Sequence, residues 1–170
     1  AKGYDIWGAE MQLVKDDAYP IRTYLQFENI EEAMALDPIG GLLEVLSRLS
    51  KGENLCMQFL IRPADEEWKE RGEKLVEELK LKGQKSIIGP VGEYTDRPIR
   101  TPGETAVIKA IEENIAKSGF ETLIRYIYIA DANIMSKDFA RRSILSAFNQ
   151  YSVQDMNSFR RNFVPTTDVK

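Results

Sequence analysis

Glu121-Thr122-Leu123-Ile124-Arg125-Tyr126-Ile127-Tyr128-Ile129-Ala130 is the stretch whose reading decides the fold. Its aromatic and β-branched residues suit a pleated surface, so it predicts a strand. Alternation puts Thr122, Ile124, Tyr126, Tyr128 and Ala130 on one face, with Leu123, Arg125, Ile127 and Ile129 on the other. Both faces are largely apolar, which predicts an interior strand with helical cover.

Each flank of this strand carries a helix signal. Upstream, Thr101 caps, Pro102 takes the first helical position and Glu104 closes a capping box. Val107, Ile108, Ile111 and Ile115 give that helix its apolar stripe, and Gly119 ends it. Downstream, Ser136 caps a helix with Phe139, Ala140, Ile144, Ala147, Phe148 and Tyr151 inward. Residues 157–163 read as a short helical turn or docking arm, and 164–170 as a frayed tail.

Leu55 to Arg62 predicts a second central strand, ended by Pro63. Asp65 then caps a helix carrying Trp68, Gly72, Leu75, Val76 and Leu79 as far as about Lys82. Ahead of that strand, Asp37-Pro38 opens a helix with Leu42, Leu43, Leu46 and Leu49 on one face, and Gly52 stands past its end. At the start of the chain, Tyr4 to Val14 alternates with Trp7, Ala9, Met11 and Leu13 on one face. Ile21 to Phe27 alternates again, so the two segments predict an antiparallel pair.

These elements predict an α/β (α+β) two-layer sandwich, with a mixed or antiparallel sheet of about four strands and about four helices. A loose echo of helix, strand and helix admits two repeated units. Residues 1–163 are expected to form a single domain, interrupted by a Gly/Pro-rich loop at 83–101.

The 170 residues include 43% hydrophobic and 29% charged residues, with a net charge of −4. An acidic balance argues against a dedicated nucleic-acid binder, although a local basic face can persist within it. The chain has no histidine, which removes Ser-His-Asp and Cys-His catalysis and imidazole metal sites. Its one cysteine, Cys56, cannot form an intramolecular disulfide and reads as a small buried hydrophobe. Phosphate-loop, GxGxxG and nucleophile-elbow motifs are missing. The expectation is therefore no catalytic residue, no cofactor and no metal, hence no enzyme within this chain. No apolar run approaches the roughly 18 residues that cross a bilayer. A first residue that is alanine, with structure beginning almost at once, suggests a domain cut from a longer polypeptide.

What remains is charge sorting. Between Lys137 and Phe163 the basic residues are Lys137, Arg141, Arg142, Arg160 and Arg161, against Asp138 and Asp155. With Asn157, Phe159 and Phe163 beside them, Arg141, Arg142, Arg160 and Arg161 are candidate contacts to a nucleic-acid backbone or an acidic partner. Arg62 and Arg125 lie in or beside the two central strands and are candidates for structural ion pairs. A small carboxylate-dependent enzyme is a further reading, and it requires a polar pocket around Tyr126 or Tyr128.

Tyr19 to Glu28, Asp37 to Glu53, Ile61-Arg62-Pro63, Trp68 and Glu112 to Arg125 carry a family likeness. Together they resemble a bacterial family akin to the amino-terminal, non-motor region of type IV secretion and conjugation ATPases and coupling proteins. The resemblance is diffuse, covers most of the chain and brings no catalytic motif. It implies a non-catalytic assembly or interaction domain, with any ATPase activity in another domain or partner. It also implies protein partners or self-association, possible nucleic-acid contact, and a cytoplasmic place reached at the inner membrane face through partners rather than by insertion.

Overall fold

The computed structural model describes residues 3–28, 37, 39–82, 86–89, 92–95 and 100–169. The decisive stretch is strand β5, Phe120–Asp131, and it is interior as expected. It lies between β1, Tyr4–Leu13, and β2, Glu53–Pro63, while β6, Phe159–Val169, closes the far side of β1. The order is β2-β5-β1-β6. β1 runs antiparallel to both β5 and β6. The contacts Glu53–Tyr128, Gln58–Arg125 and Arg62–Glu121 run in opposite senses along β2 and β5, so that pair is antiparallel too.

The chain divides into two compact units. The first holds the sheet, from residues 1–17, 21–62 and 121–170. One face of the sheet packs Trp7, Ala9, Met11, Ile124, Tyr126, Tyr128 and Ala130 against Val45, Ala140, Ile144, Ala147 and Phe148. The covering layer is helix α2, Gly40–Ser47, and a composite helix after β5. That helix starts at Lys137, takes a π turn at Phe139–Ser143, continues as α5, Ile144–Phe148, and ends in a 3-10 turn at Asn149–Tyr151. Ser136 Oγ accepts from the Phe139 N–H at 3.2 Å, the cap that the sequence predicts. The sheet and its helical layer make this an α/β sandwich of the expected class.

Among the described residues of this unit, the helices pack on one face of the sheet. On the other, Cys56, Leu60 and Ile127 are exposed. Cys56 is thus not the buried hydrophobe its apolar run suggests, because even-numbered positions of β2 turn away from the core.

Several expectations are corrected. Ile21–Phe27 is no strand: Tyr24–Glu28 is a short helix, α1, because β1 already has a partner on each side. Phe27 is buried edge-on against Tyr151 at 5.7 Å between centroids. The expected arm at 157–163 and frayed tail at 164–170 are replaced by β6, which runs to Val169 with a register shift opposite Gly8–Glu10. That irregularity hides the strand's alternation in the sequence. Asn157 is not a surface contact but is 1% exposed. Its Oδ1 accepts from the Lys15 N–H at 2.9 Å and its Nδ2 donates to the Asp16 carbonyl at 2.9 Å, tying the end of β1 to the start of β6. Asp37 closes the turn ahead of α2 by accepting from the Ile39 N–H at 3.0 Å, while Pro38 lies outside the described residues. Gly52, at φ +95°, makes the turn into β2.

The second unit comprises residues 18–20 and 63–120. Helices α3, Glu66–Leu81, and α4, Pro102–Ile115, enclose Ala18, Val76, Ile108, Ile111 and Ile115. Asp65 caps α3, and the capping box of Thr101 and Glu104 forms as predicted. The hydrogen bond from the Thr101 N–H holds the Glu104 carboxyl below its ordinary pKa. Gly72 lets the helices close: a Cβ there would meet Ile115 Cγ2 at 2.5 Å. Within the expected 83–101 loop, Ser86–Gly89 (β3) and Gly92–Thr95 (β4) pair as an antiparallel hairpin. Ile87-Ile88 beside Gly89-Pro90 was the available signal.

Candidate functional site: an arginine-lined concavity at the β6 edge

The sequence singles out Arg141, Arg142, Arg160 and Arg161, and all four line one concavity of about 480 Å³ in the sheet unit. Arg141 and Arg142 come from the π turn and Arg161 and Arg160 from β6, with Asp138, Ser146 and Asn149 completing the polar lining. A π turn gives up regular α-helical hydrogen bonding and is frequent at functional sites. Here it carries two consecutive guanidinium side chains to the same cavity.

The four arginines are not equivalent. Arg161 stands opposite Met11, on the helix-covered face, and its guanidinium lies 5.4 Å from the Trp7 ring centroid. Arg141 reaches the same ring at 6.0 Å. Trp7 is fully buried, so two cations converge on one desolvated aromatic. Arg142 and Asp138 approach at 3.9 Å across an exposed helical turn. Arg160 stands opposite Gln12 on the other face. With the Gln12 amide oxygen turned toward it, Arg160 donates from Nε at 2.8 Å and Nη2 at 3.0 Å. The guanidiniums on the helix side are therefore those of Arg141, Arg142 and Arg161.

The remaining site candidates fall elsewhere. Arg62 forms the expected ion pair, with Glu121 at 2.5 Å. Arg125 meets an amide instead: its Nε donates to Gln58 Oε1 at 2.7 Å. Tyr126 and Tyr128 are 1% and 0% exposed and belong to the packed core. Tyr126 donates to the Ala140 carbonyl at 3.0 Å, and Tyr128 donates to Glu53 Oε1. Burial pushes both phenols up to about 12, with the hydrogen bond to Glu53 adding to the rise at Tyr128. Both stay protonated at neutral pH, and the polar pocket that an enzyme would need around them is filled core.

A second concavity of about 300 Å³, among Ile39, Leu42, Phe59, Phe148 and Phe159, is almost wholly apolar. Sequence reasoning missed it, because its walls come from segments far apart in the chain. Among the described residues no group of three or more His, Cys, Asp or Glu is arranged to hold a metal. Among them, too, no helix is long and apolar enough to cross a membrane.

An antiparallel sheet with one helical layer and a basic concavity at its edge defines an α/β domain with a surface site. A family model matches residues 1–166, and the chain belongs to that family, the domain of unknown function DUF8128. No curated protein and no solved structure matches the chain.

Proposed function

We propose that the chain is a non-catalytic interaction domain of a conjugation or type IV secretion-like translocation system, acting through protein partners or self-association, with an ATPase subunit as one such partner. The choice of system rests on the sequence resemblance alone. The interaction reading is supported by the β2 edge. From Asn54 to Ile61 this outer strand carries no charged residue. Its Phe59, Leu60 and Ile61 are 48%, 43% and 63% exposed. A long, apolar, unguarded edge is a template for adding a strand from another chain.

The test is the mass of the chain in solution by light scattering, with and without a short DNA duplex at low salt. The expected result is a discrete oligomer indifferent to DNA, reduced to monomer by Leu60→Lys with Ile61→Lys. A monomer at all concentrations would remove self-association. A monomer that gains mass only with DNA would favour a second reading, a nucleic-acid-binding accessory domain, which the convergence of Arg141, Arg142 and Arg161 supports.

A further inference from the structure

We propose that the arginine-lined concavity is a binding site for a phosphomonoester, such as a phosphorylated small molecule. This inference is independent of the β2 edge, because the site lies at the opposite edge of the sheet. Three observations carry it: charge, shape and the lack of a stacking surface.

The charged side chains lining the cavity are four arginines and one aspartate. With Arg160 directed to Gln12, the helix side holds three guanidiniums against Asp138. The lining is thus rich in guanidinium, with Arg141 and Arg142 exposed on it, which suits a phosphomonoester carrying roughly −1.5 to −2 at neutral pH. The planar guanidinium fork suits phosphate oxygens, and Ser146 and Asn149 add neutral hydrogen-bonding groups. Trp7, packed in the core beneath Arg141 and Arg161, holds these cations in place before any anion arrives.

Shape argues for a discrete ligand. A volume of about 480 Å³ falls in the range of small-molecule sites, roughly 300–1,000 Å³. A nucleic-acid track instead needs a basic groove extending over several phosphates, usually with aromatic platforms for the bases. The cavity lining contains no aromatic residue, and the chain as a whole is acidic, with a net charge of −4. A long polyanion is disfavoured, whereas one compact anion is not.

The experiment is an NMR titration of the full chain, following the Trp7 indole N–H and the arginine Nε–H signals. Probes are O-phosphoserine and inorganic phosphate, with glutamate and a short DNA duplex as competitors for the assignment. The expected result is saturable shifts at Trp7, Arg141 and Arg161 with O-phosphoserine. Arg141→Gln or Arg142→Gln should each weaken binding at least about tenfold, in keeping with the loss of a hydrogen bond to a charged group. Both substitutions are at exposed positions, so an unchanged amide spectrum elsewhere confirms folding. Arg62→Gln, which changes a cation outside the site, should leave binding intact. Glutamate binding as tightly as O-phosphoserine would overturn the phosphate assignment. So would shifts that persist unchanged in the Arg141→Gln, Arg142→Gln double variant. Binding of inorganic phosphate alone would show an adventitious ion only. Tighter, strongly salt-dependent binding of the duplex would replace the small ligand with nucleic acid.

Discussion

The two edges of the sheet are built on opposite principles. The β6 edge is basic at its start, where Arg160 and Arg161 are consecutive, and its sequence includes Pro165, which has no N–H to donate. Its anchor is buried: Asn157 bonds the chain beneath it, and Trp7 underlies Arg161. The β2 edge has no charge between Asn54 and Ile61, and three consecutive large apolar residues are exposed. Charges and proline are the usual guards against strand addition. In the proposed reading, one edge takes an anion and the other takes a strand from another chain. The fold can present two separate surfaces without a shared residue.

The sharpest way to break this contrast is to remove the support of the basic edge. Trp7→Ala should cost about 3–5 kcal/mol, since it empties a fully buried site in the core. Leu60→Ala, at the β2 edge and 43% exposed, should stay within about 0.5 kcal/mol. Urea unfolding of both variants reads the difference directly; equal losses would mean that the β2 edge is as embedded as the β6 edge. Next in size is Asn157→Ala. It leaves the Lys15 N–H and Asp16 carbonyl without their partner and should cost about 1–3 kcal/mol. Hydrogen exchange should quicken in β6 and β1 and not in β2. Uniform quickening would show that Asn157 supports the whole sheet rather than one edge.

The two core tyrosines extend the contrast to alkaline pH. Tyr126 feels Arg161 from the β6 side, whereas Tyr128 is held by Glu53 of β2. Both folded pKa values, about 12, lie above the ordinary value of 10. The unfolded chain therefore loses these protons first, and stability present below pH 10 falls as pH rises through 12. Phenolate absorbance should show two tyrosines that ionise only with this loss of structure. In Glu53→Gln the Tyr128 step should move toward lower pH, because one anion no longer raises it. No movement would leave burial as the sole cause.

Legibility in the sequence followed the same division. Elements whose pattern is local were readable: the Thr101–Glu104 box, the Asp65 cap, and the alternation of β1 and β5. The arginines were readable as charge sorting, since Arg141, Arg142, Arg160 and Arg161 do share a cavity. Their inequality was not readable. It depends on β6 pairing with β1, which sets Arg161 opposite Met11 and Arg160 opposite Gln12. A pairing between chain ends leaves no local trace, and the register shift in β6 obscures even its period. The exposure of Ile127 was hidden for another reason. Ile127 and Ile129 look as buried as Ile124, but periodicity reports that a face is apolar and not that something covers it.

The smallest expected effect concerns Arg62, a cation outside the arginine-lined cavity. Arg62 and Glu121 meet at 2.5 Å where β2 lies beside the start of β5, with side chains 76% and 46% exposed. Such a pair gains little over its hydrated parts, so Arg62→Ala should cost no more than about 1 kcal/mol, and less in high salt. Its value lies in what it does to Ile61, the adjacent exposed residue of the apolar edge. If β2 recruits a strand from another chain, removing the charge beside that run should strengthen association, visible as a larger mass at low concentration by light scattering. If association instead weakens, Arg62 is itself part of the contact, and the β2 edge is selective through charge as well as through its unpaired backbone.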